Sequence, residues 1–143
     1  MQTKMTAFHA KFGFPIGESL DVCDNVTATE QLRTLGHNLS QLSEMLRIFI
    51  ARGIDDLRMQ RVQLMLEELG ELISALAVRN ETEAVDGAGD LLYTVIGTMT
   101  AFNWPALAIF DEVHRSNMTK TPGGHKPAKG PHFSPPDFTE ILE

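Results

Sequence analysis

Two pairs of carboxylates pose the first chemical question in this sequence. Glu67 and Glu71 stand four residues apart in "EELGEL", and Asp86 and Asp90 repeat that spacing in "DGAGDLLYTVIG". On a helix, residues i and i+4 share a face, while Glu68 lies about 100° around the axis. Like charges so spaced cost an isolated helix about 0.2–0.5 kcal/mol. Bringing the two pairs together costs more unless a cation neutralises them. A divalent metal does this. Donor sets made only of oxygen suit Mg²⁺ or Mn²⁺ and need neither histidine nor thiolate. With so many carboxylates, two ions are conceivable, of the kind that clamp attacking and leaving oxygens in phosphoryl chemistry. The same letters also fit the wet face of an amphipathic helix, with Arg61 or Arg79 as partners. Against that stand the matched aspartates and the two glycines beside them, Gly87 and Gly89. Each glycine costs a helix up to about 1 kcal/mol relative to alanine, which a close backbone approach would explain. Asp90 directly precedes an apolar run and is expected to be partly buried.

For these side chains to meet, two helices must carry them. Leu32, Leu35, Leu39, Leu42, Leu46 and Phe49 recur in steps of three and four, so a first long helix is expected from about Thr27 to Arg52. "TATE" at Thr27 to Glu30 fits a capping box, and Gly53 a stop. A second helix should start near Asp55 or Asp56 and run to about Arg79, burying a broad face that includes Met65, Leu69 and Leu76. "NETE" at Asn80 to Glu83 caps a third, with Val85, Leu91, Val95 and Met99. The short link between the second and third favours antiparallel packing. Asn103 with Trp104 and Pro105 reads as the cap and first turn of a fourth helix, ending near Asn117. "TPGGHKPAKGPHFSPPDF" is then too rich in Pro and Gly to be regular. The fold class is therefore all-α, a bundle of four to five helices with an irregular C-terminal tail. It is expected to form one domain over 1–143, with its core at about 27–118 and an extension at about 119–143.

A chain of 143 residues with 43% hydrophobic and 22% charged residues suits one globular domain. The net charge of −7 argues against a general nucleic-acid binder, which needs a basic surface. From Val113 to Pro136, however, there is no Asp or Glu, leaving either a solvated tail or a local anion site. A lone cysteine, Cys23, allows no internal disulfide. No stretch approaches the roughly 20 apolar residues of a membrane span, and the N-terminus lacks the apolar run of a signal peptide. A cytoplasmic protein without membrane partners is expected.

"EELGEL", then "DGAGDLLYTVIG", then "DEVHRSNMTK" together resemble the all-α nucleoside triphosphate pyrophosphohydrolases. These include MazG-like proteins, dimeric dUTPases and phosphoribosyl-ATP pyrophosphohydrolases. The resemblance is nearest to the small, single-domain MazG-like, phosphoribosyl-ATP-pyrophosphohydrolase-like proteins of bacteria and phages. It implies Mg²⁺-dependent cleavage between the α- and β-phosphates of a nucleoside triphosphate, releasing the monophosphate and pyrophosphate, with Mn²⁺ as a substitute metal. Carried over by position, Glu67, Glu71 and Asp90 match the family's metal ligands. Glu68 matches the second Glu of the EExxE motif and is the candidate base that orients or deprotonates the attacking water, or a ligand to a second metal. Where the family pattern ends in ExxD, this chain has Gly87 at the Glu position and Asp86 one residue earlier, and Asp86 is assigned as a further ligand. The resemblance also gives Asn117 and Lys120, with Arg115 as a third member, a role in holding triphosphate oxygens, where fixed positive charge stabilises developing negative charge. A helix C-terminus would favour the same cations through its dipole. Family members are dimers or tetramers, so a homodimer or homotetramer is expected, with the nucleotide as the other partner. Histidine synthesis, with phosphoribosyl-ATP as substrate, is the alternative inside the family. Outside it, a di-iron carboxylate bundle would place a His three residues after a Glu, which none of Glu67, Glu68 and Glu71 has, and a non-catalytic helical module predicts no stabilisation by metal.

Overall fold

Short polar side chains decide where the three long helices begin. The computed structural model describes residues 1–54 and 56–143. Asp55, one of two residues expected to open the second long helix, lies outside the described residues. Asp56 caps that helix, α3 (Leu57–Val78), and its carboxylate accepts from the Arg58 and Met59 amides at 2.8 and 3.1 Å. Arg79 ends it in the left-handed region at φ 55°. The preceding helix, α2 (Val26–Ala51), is capped by Asn25, whose side chain accepts from the Ala28 amide at 2.9 Å. The capping box expected at Thr27 to Glu30 therefore does not start the helix, because Thr27 already lies inside it. Helix α4 (Glu81–Ala101) follows Asn80, which accepts from the Glu83 amide at 3.3 Å. Helix α1 spans Gln2–Phe12 and α5 spans Ala106–Met118. Asn103 does not cap α5. It takes a left-handed turn at φ 57° after α4, and Pro105 stands at the cap position. Five α-helices and no strand, among the described residues, make the chain all-α.

The chain divides into two compact units. One runs from Ser19 to Thr98 and holds α2, α3 and most of α4. Its first two helices cross on glycines. A methyl placed on Gly36 would lie 3.2 Å from the Gly70 carbonyl and 2.4 Å from Ser74 Oγ, and one on Gly70 would lie 3.1 Å from Ser40 Oγ. Small residues at the crossing let the backbones approach, so their polar neighbours reach across. Helix α4 returns along α3 and touches it where Gly87 meets Leu72. The glycine at that point is needed, since a methyl there would sit 3.1 Å from Leu72 Cα and N, atoms that cannot swing away. Gly89, expected to serve the same purpose, faces open space. Further along, the Arg61 guanidinium donates to Thr94 O at 3.1 Å and Thr98 Oγ1 at 3.2 Å, in a slot that a side chain on Gly97 would fill. The core here is built of small residues, with Ala75, Ala77 and Ala84 buried, while Leu35, Leu42, Met45, Leu92 and Tyr93 remain exposed.

The other unit joins Met1–Glu18 to Met99–Glu143. Lys4 pairs with Asp111 of α5 at 2.7 Å, and Lys11 donates to the Met118 carbonyl. Phe8 packs on Phe12 and Phe14 with ring centres 4.7 and 5.9 Å apart. Trp104 stacks on Phe102 rather than closing a core, and stays 44% exposed. The tail is irregular as expected, yet tied down. Thr121 and Ala128 exchange backbone bonds of 3.0 and 2.9 Å, and the Ser134 amide donates to Thr119 Oγ1 at 2.8 Å. Among the described residues no helix is long and apolar enough to cross a membrane.

Candidate active site

Glu67, Glu68 and Glu71 project from the middle of α3, where Leu66 and Leu69 turn inward and are half-buried. The contact of Gly87 with Leu72 fixes the level of α4 against them. Because the two helices are antiparallel, one turn further along α4 brings Asp90 level with Leu69, beside Glu68. The electrostatics agree with this register. The Glu68 carboxyl is pushed above its ordinary value, first by burial and then by the negative charges of Glu71, Asp90, Glu67 and Asp86. The other four carboxylates proposed from the sequence thus all lie near enough to Glu68 to act on it.

Their burial differs from expectation. Glu67 and Glu68 are half-buried, while Glu71, Asp86 and Asp90 are exposed. Asp90 was expected to be partly buried, but the inward position on this turn of α4 is taken by Gly87. Among the described residues, no three His, Cys, Asp or Glu side chains stand close enough together to hold a metal ion as they are. Carboxylates spaced in this way draw together when a cation lies between them. By donor chemistry the set fits a hard divalent cation, because every group is a carboxylate oxygen donor on a helix already fixed in place.

Helix α2 supplies a wall that the sequence did not reveal. Ser40, Ser43, Glu44 and Arg47 line a cleft of about 140 Å³ together with Glu67 and Glu71. Arg47 forks onto Glu44 at 2.7 and 2.8 Å, and that carboxylate, with a smaller contribution from Glu67, raises the guanidinium's pKa. Buried Gln63 donates to Glu67 Oε2 at 2.7 Å and to Ser43 Oγ at 3.1 Å. The only hint in the sequence was that Ser40, Ser43 and Arg47 share one face of a helix otherwise striped with leucine. Arg61, considered as a partner for the glutamates, spends its donors on α4 instead.

Asn117, Lys120 and Arg115 belong to the other compact unit. Arg115 donates to both oxygens of Glu112 at 2.7 and 2.8 Å, to Ser134 Oγ at 3.1 Å and to Pro135 O at 2.9 Å. Its fork therefore holds the tail. Asn117 lies in the last turn of α5 and Lys120 two residues beyond its end, both half-buried.

The model of one protein family, described as phosphoribosyl-ATP pyrophosphohydrolase, matches residues 44–117. That span runs from Glu44 on α2 through α3 and α4 to Asn117, and so takes in all five carboxylates. No curated protein and no solved structure gave a significant match. The family groups pyrophosphohydrolases, hydrolases of phosphoanhydrides that generally use divalent metal ions. With half of its length matched, and with the acidic helix pair lying inside the matched span, this chain belongs to the phosphoribosyl-ATP pyrophosphohydrolase family.

Proposed function

We propose that this chain is a Mg²⁺-dependent pyrophosphohydrolase that cleaves the α–β phosphoanhydride of nucleoside triphosphates, releasing the monophosphate and pyrophosphate. The observation that supports this most is that Glu71, Asp90, Glu67 and Asp86, on two adjacent helices, all lie near enough to Glu68 to act on its charge. Glu67, Glu71, Asp90 and Asp86 would hold Mg²⁺, or Mn²⁺ in its place. When bound, the cation neutralises phosphate charge and favours the leaving oxygen. Glu68 keeps the role of base. A carboxylate beside the attacking water can accept its proton as the oxygen closes on phosphorus. The water oxygen bonds to phosphorus, its proton passes to Glu68, and the bridging oxygen departs with the electron pair. For the phosphates themselves the proposed donors are Asn117 and Lys120, an amide and a point charge.

The family match favours a second substrate, phosphoribosyl-ATP, which presents the same phosphoanhydride. One assay separates the two readings. Pyrophosphate release is measured with Mg²⁺ over a panel of ribo- and deoxynucleoside triphosphates and phosphoribosyl-ATP, in wild type, Glu68→Gln and Glu71→Gln. The preferred substrate names the branch of the family, and release that persists in both variants would remove Glu68 and Glu71 from the mechanism. The proposed setting is cytoplasmic, where such nucleotides are found. The proposed assembly is a homodimer or homotetramer, because exposed Leu35, Leu42, Met45 and Ile48 on α2 and Leu92, Tyr93 and Ile96 on α4 are faces that a second copy would cover. Sedimentation equilibrium showing only monomer at micromolar concentration would exclude it.

A further inference from the structure

We propose that Gln63, anchored by Ser43 of α2, is a positioning residue that sets the Glu67 carboxylate for metal binding. This rests on the reading of Glu67 as a metal ligand. Gln63 and Ser43 are among the few buried polar residues of the chain, 9% and 5% exposed. Their hydrogen bonds run in one direction. Ser43 Oγ donates to the Gln63 carbonyl at 3.3 Å, which leaves its lone pairs to accept from Gln63 Nε2 at 3.1 Å. The same nitrogen gives its second hydrogen to Glu67 Oε2 at 2.7 Å. Both amide hydrogens are thereby used, and the amide cannot rotate without facing a carbonyl oxygen to the carboxylate.

The geometry assigns different duties to the two oxygens of Glu67. Oε2 is held by Gln63, while Oε1 makes no hydrogen bond among the described residues and is left for a cation. Hydrogen bonds behind a ligand carboxylate fix its orientation and raise its affinity, and losing one costs about 10–100-fold in metal binding. A Gln four residues before a Glu on a helix is by itself ordinary. The difference here is the anchor, since Ser43 comes from another helix and reaches Gln63 about two turns along from the close approach of Gly36 and Gly70. Any slide of α2 along α3 is therefore felt at Glu67.

The test is Mn²⁺ binding by titration calorimetry on the folded, metal-stripped protein, with the melting temperature taken alongside. Wild type, Gln63→Met, Ser43→Ala, Glu67→Gln and the double variant Gln63→Met/Glu67→Gln are compared. Gln63→Met keeps the volume and loses both donors, and is expected to weaken Mn²⁺ about tenfold. Ser43→Ala removes only the anchor and should weaken it by a smaller factor, which keeps the test open if Gln63→Met fails to fold. Once Glu67 is Gln, the Gln63 change should have no further effect on binding. If wild type binds and Glu67→Gln does not, but Gln63→Met or Ser43→Ala binds like wild type, the positioning role is overturned and the metal centre stands. If wild type itself binds no Mn²⁺, the metal centre falls and the positioning role with it.

Discussion

The acidic cluster on α3 and α4 and the clamp between α5 and the tail use the same residue types to opposite ends. At the clamp, Arg115 and the Asp137 amide meet Glu112, and its carboxyl falls to a pKa of about 2. At the cluster, Glu68 meets burial and four other carboxylates, and its pKa rises. The first arrangement is complete in itself, with the Glu112 carboxylate answered by Arg115 and the Asp137 amide. The second leaves negative charge in excess, at a cost to the fold, and that excess is what a cation or a substrate complex can use. The largest expected effect follows from this contrast. Glu68→Gln or Glu71→Gln should lower pyrophosphate release by at least about 100-fold, the usual range for a lost acid–base group, whereas Glu112→Gln should change turnover little. Equal losses in all three variants would erase the distinction.

The next effect in size concerns how the cluster is assembled. Gly87→Ala places a methyl against Leu72 backbone atoms and should destabilise the fold by about 1–3 kcal/mol, as overpacking does. It should also lower activity by moving Asp86 and Asp90 away from α3. Gly89→Ala, two residues on and facing open space, should instead be neutral or stabilise by up to about 1 kcal/mol through helix propensity. Thermal unfolding of the two variants side by side checks the register, and similar melting temperatures would refute it.

A third effect turns on pH. The folded chain holds the Glu68 proton more tightly than the unfolded chain, so this group's contribution is fully present below the unfolded pKa. It is lost as pH rises from there through the folded value. Glu68→Gln abolishes that loss, so the metal-free variant should melt a few degrees above metal-free wild type at neutral pH, and the gap should close on acidification. Divalent metal should narrow the gap from the other side by raising the wild type more. A variant that melts at or below wild type in metal-free buffer would show that the charge excess is not costly.

How much of this could be seen in the letters follows from how local each feature is. The helices α3 and α4 announced themselves through Asp56, Asn80 and a 3.6-residue apolar period, and the acidic pairs through their spacing. All of those are properties of a single segment. Asp90's exposure was not legible, because it depends on the rotation of α4 that Gly87 sets against Leu72. The part played by Ser43 and Gln63 was equally hidden. On their own helices they read as solvent-facing polar residues, and only the packing of α2 on α3 buries them against each other. Arg115 is the reverse case. Its pairing with Glu112 is a local i, i+3 contact inside "DEVHR", visible in the sequence but outweighed there by the pull of a phosphate role.

The smallest expected effect sharpens the comparison at the clamp itself. Because the Glu112 pKa is depressed, its stabilisation of the tail is present above the ordinary value of 4.5 and is lost as pH falls through about 2. The pair is solvent-accessible, so the whole-protein melting temperature should barely respond. The local signal should. In a nitrogen-15 NMR titration, the Asp137 amide, which donates to Glu112 Oε1 at 2.7 Å, should move across that acidic window. In Glu112→Gln it should sit at a shifted position even at neutral pH. Arg115→Met should loosen the same amides, since Ser134 and Pro135 lose their donor. If Arg115 serves only the tail, the two variants share one KM for the triphosphate. A rise in KM confined to Arg115→Met would mean that the guanidinium leaves Glu112 to meet phosphate, and the clamp would then be a part of the active site rather than its counterpart.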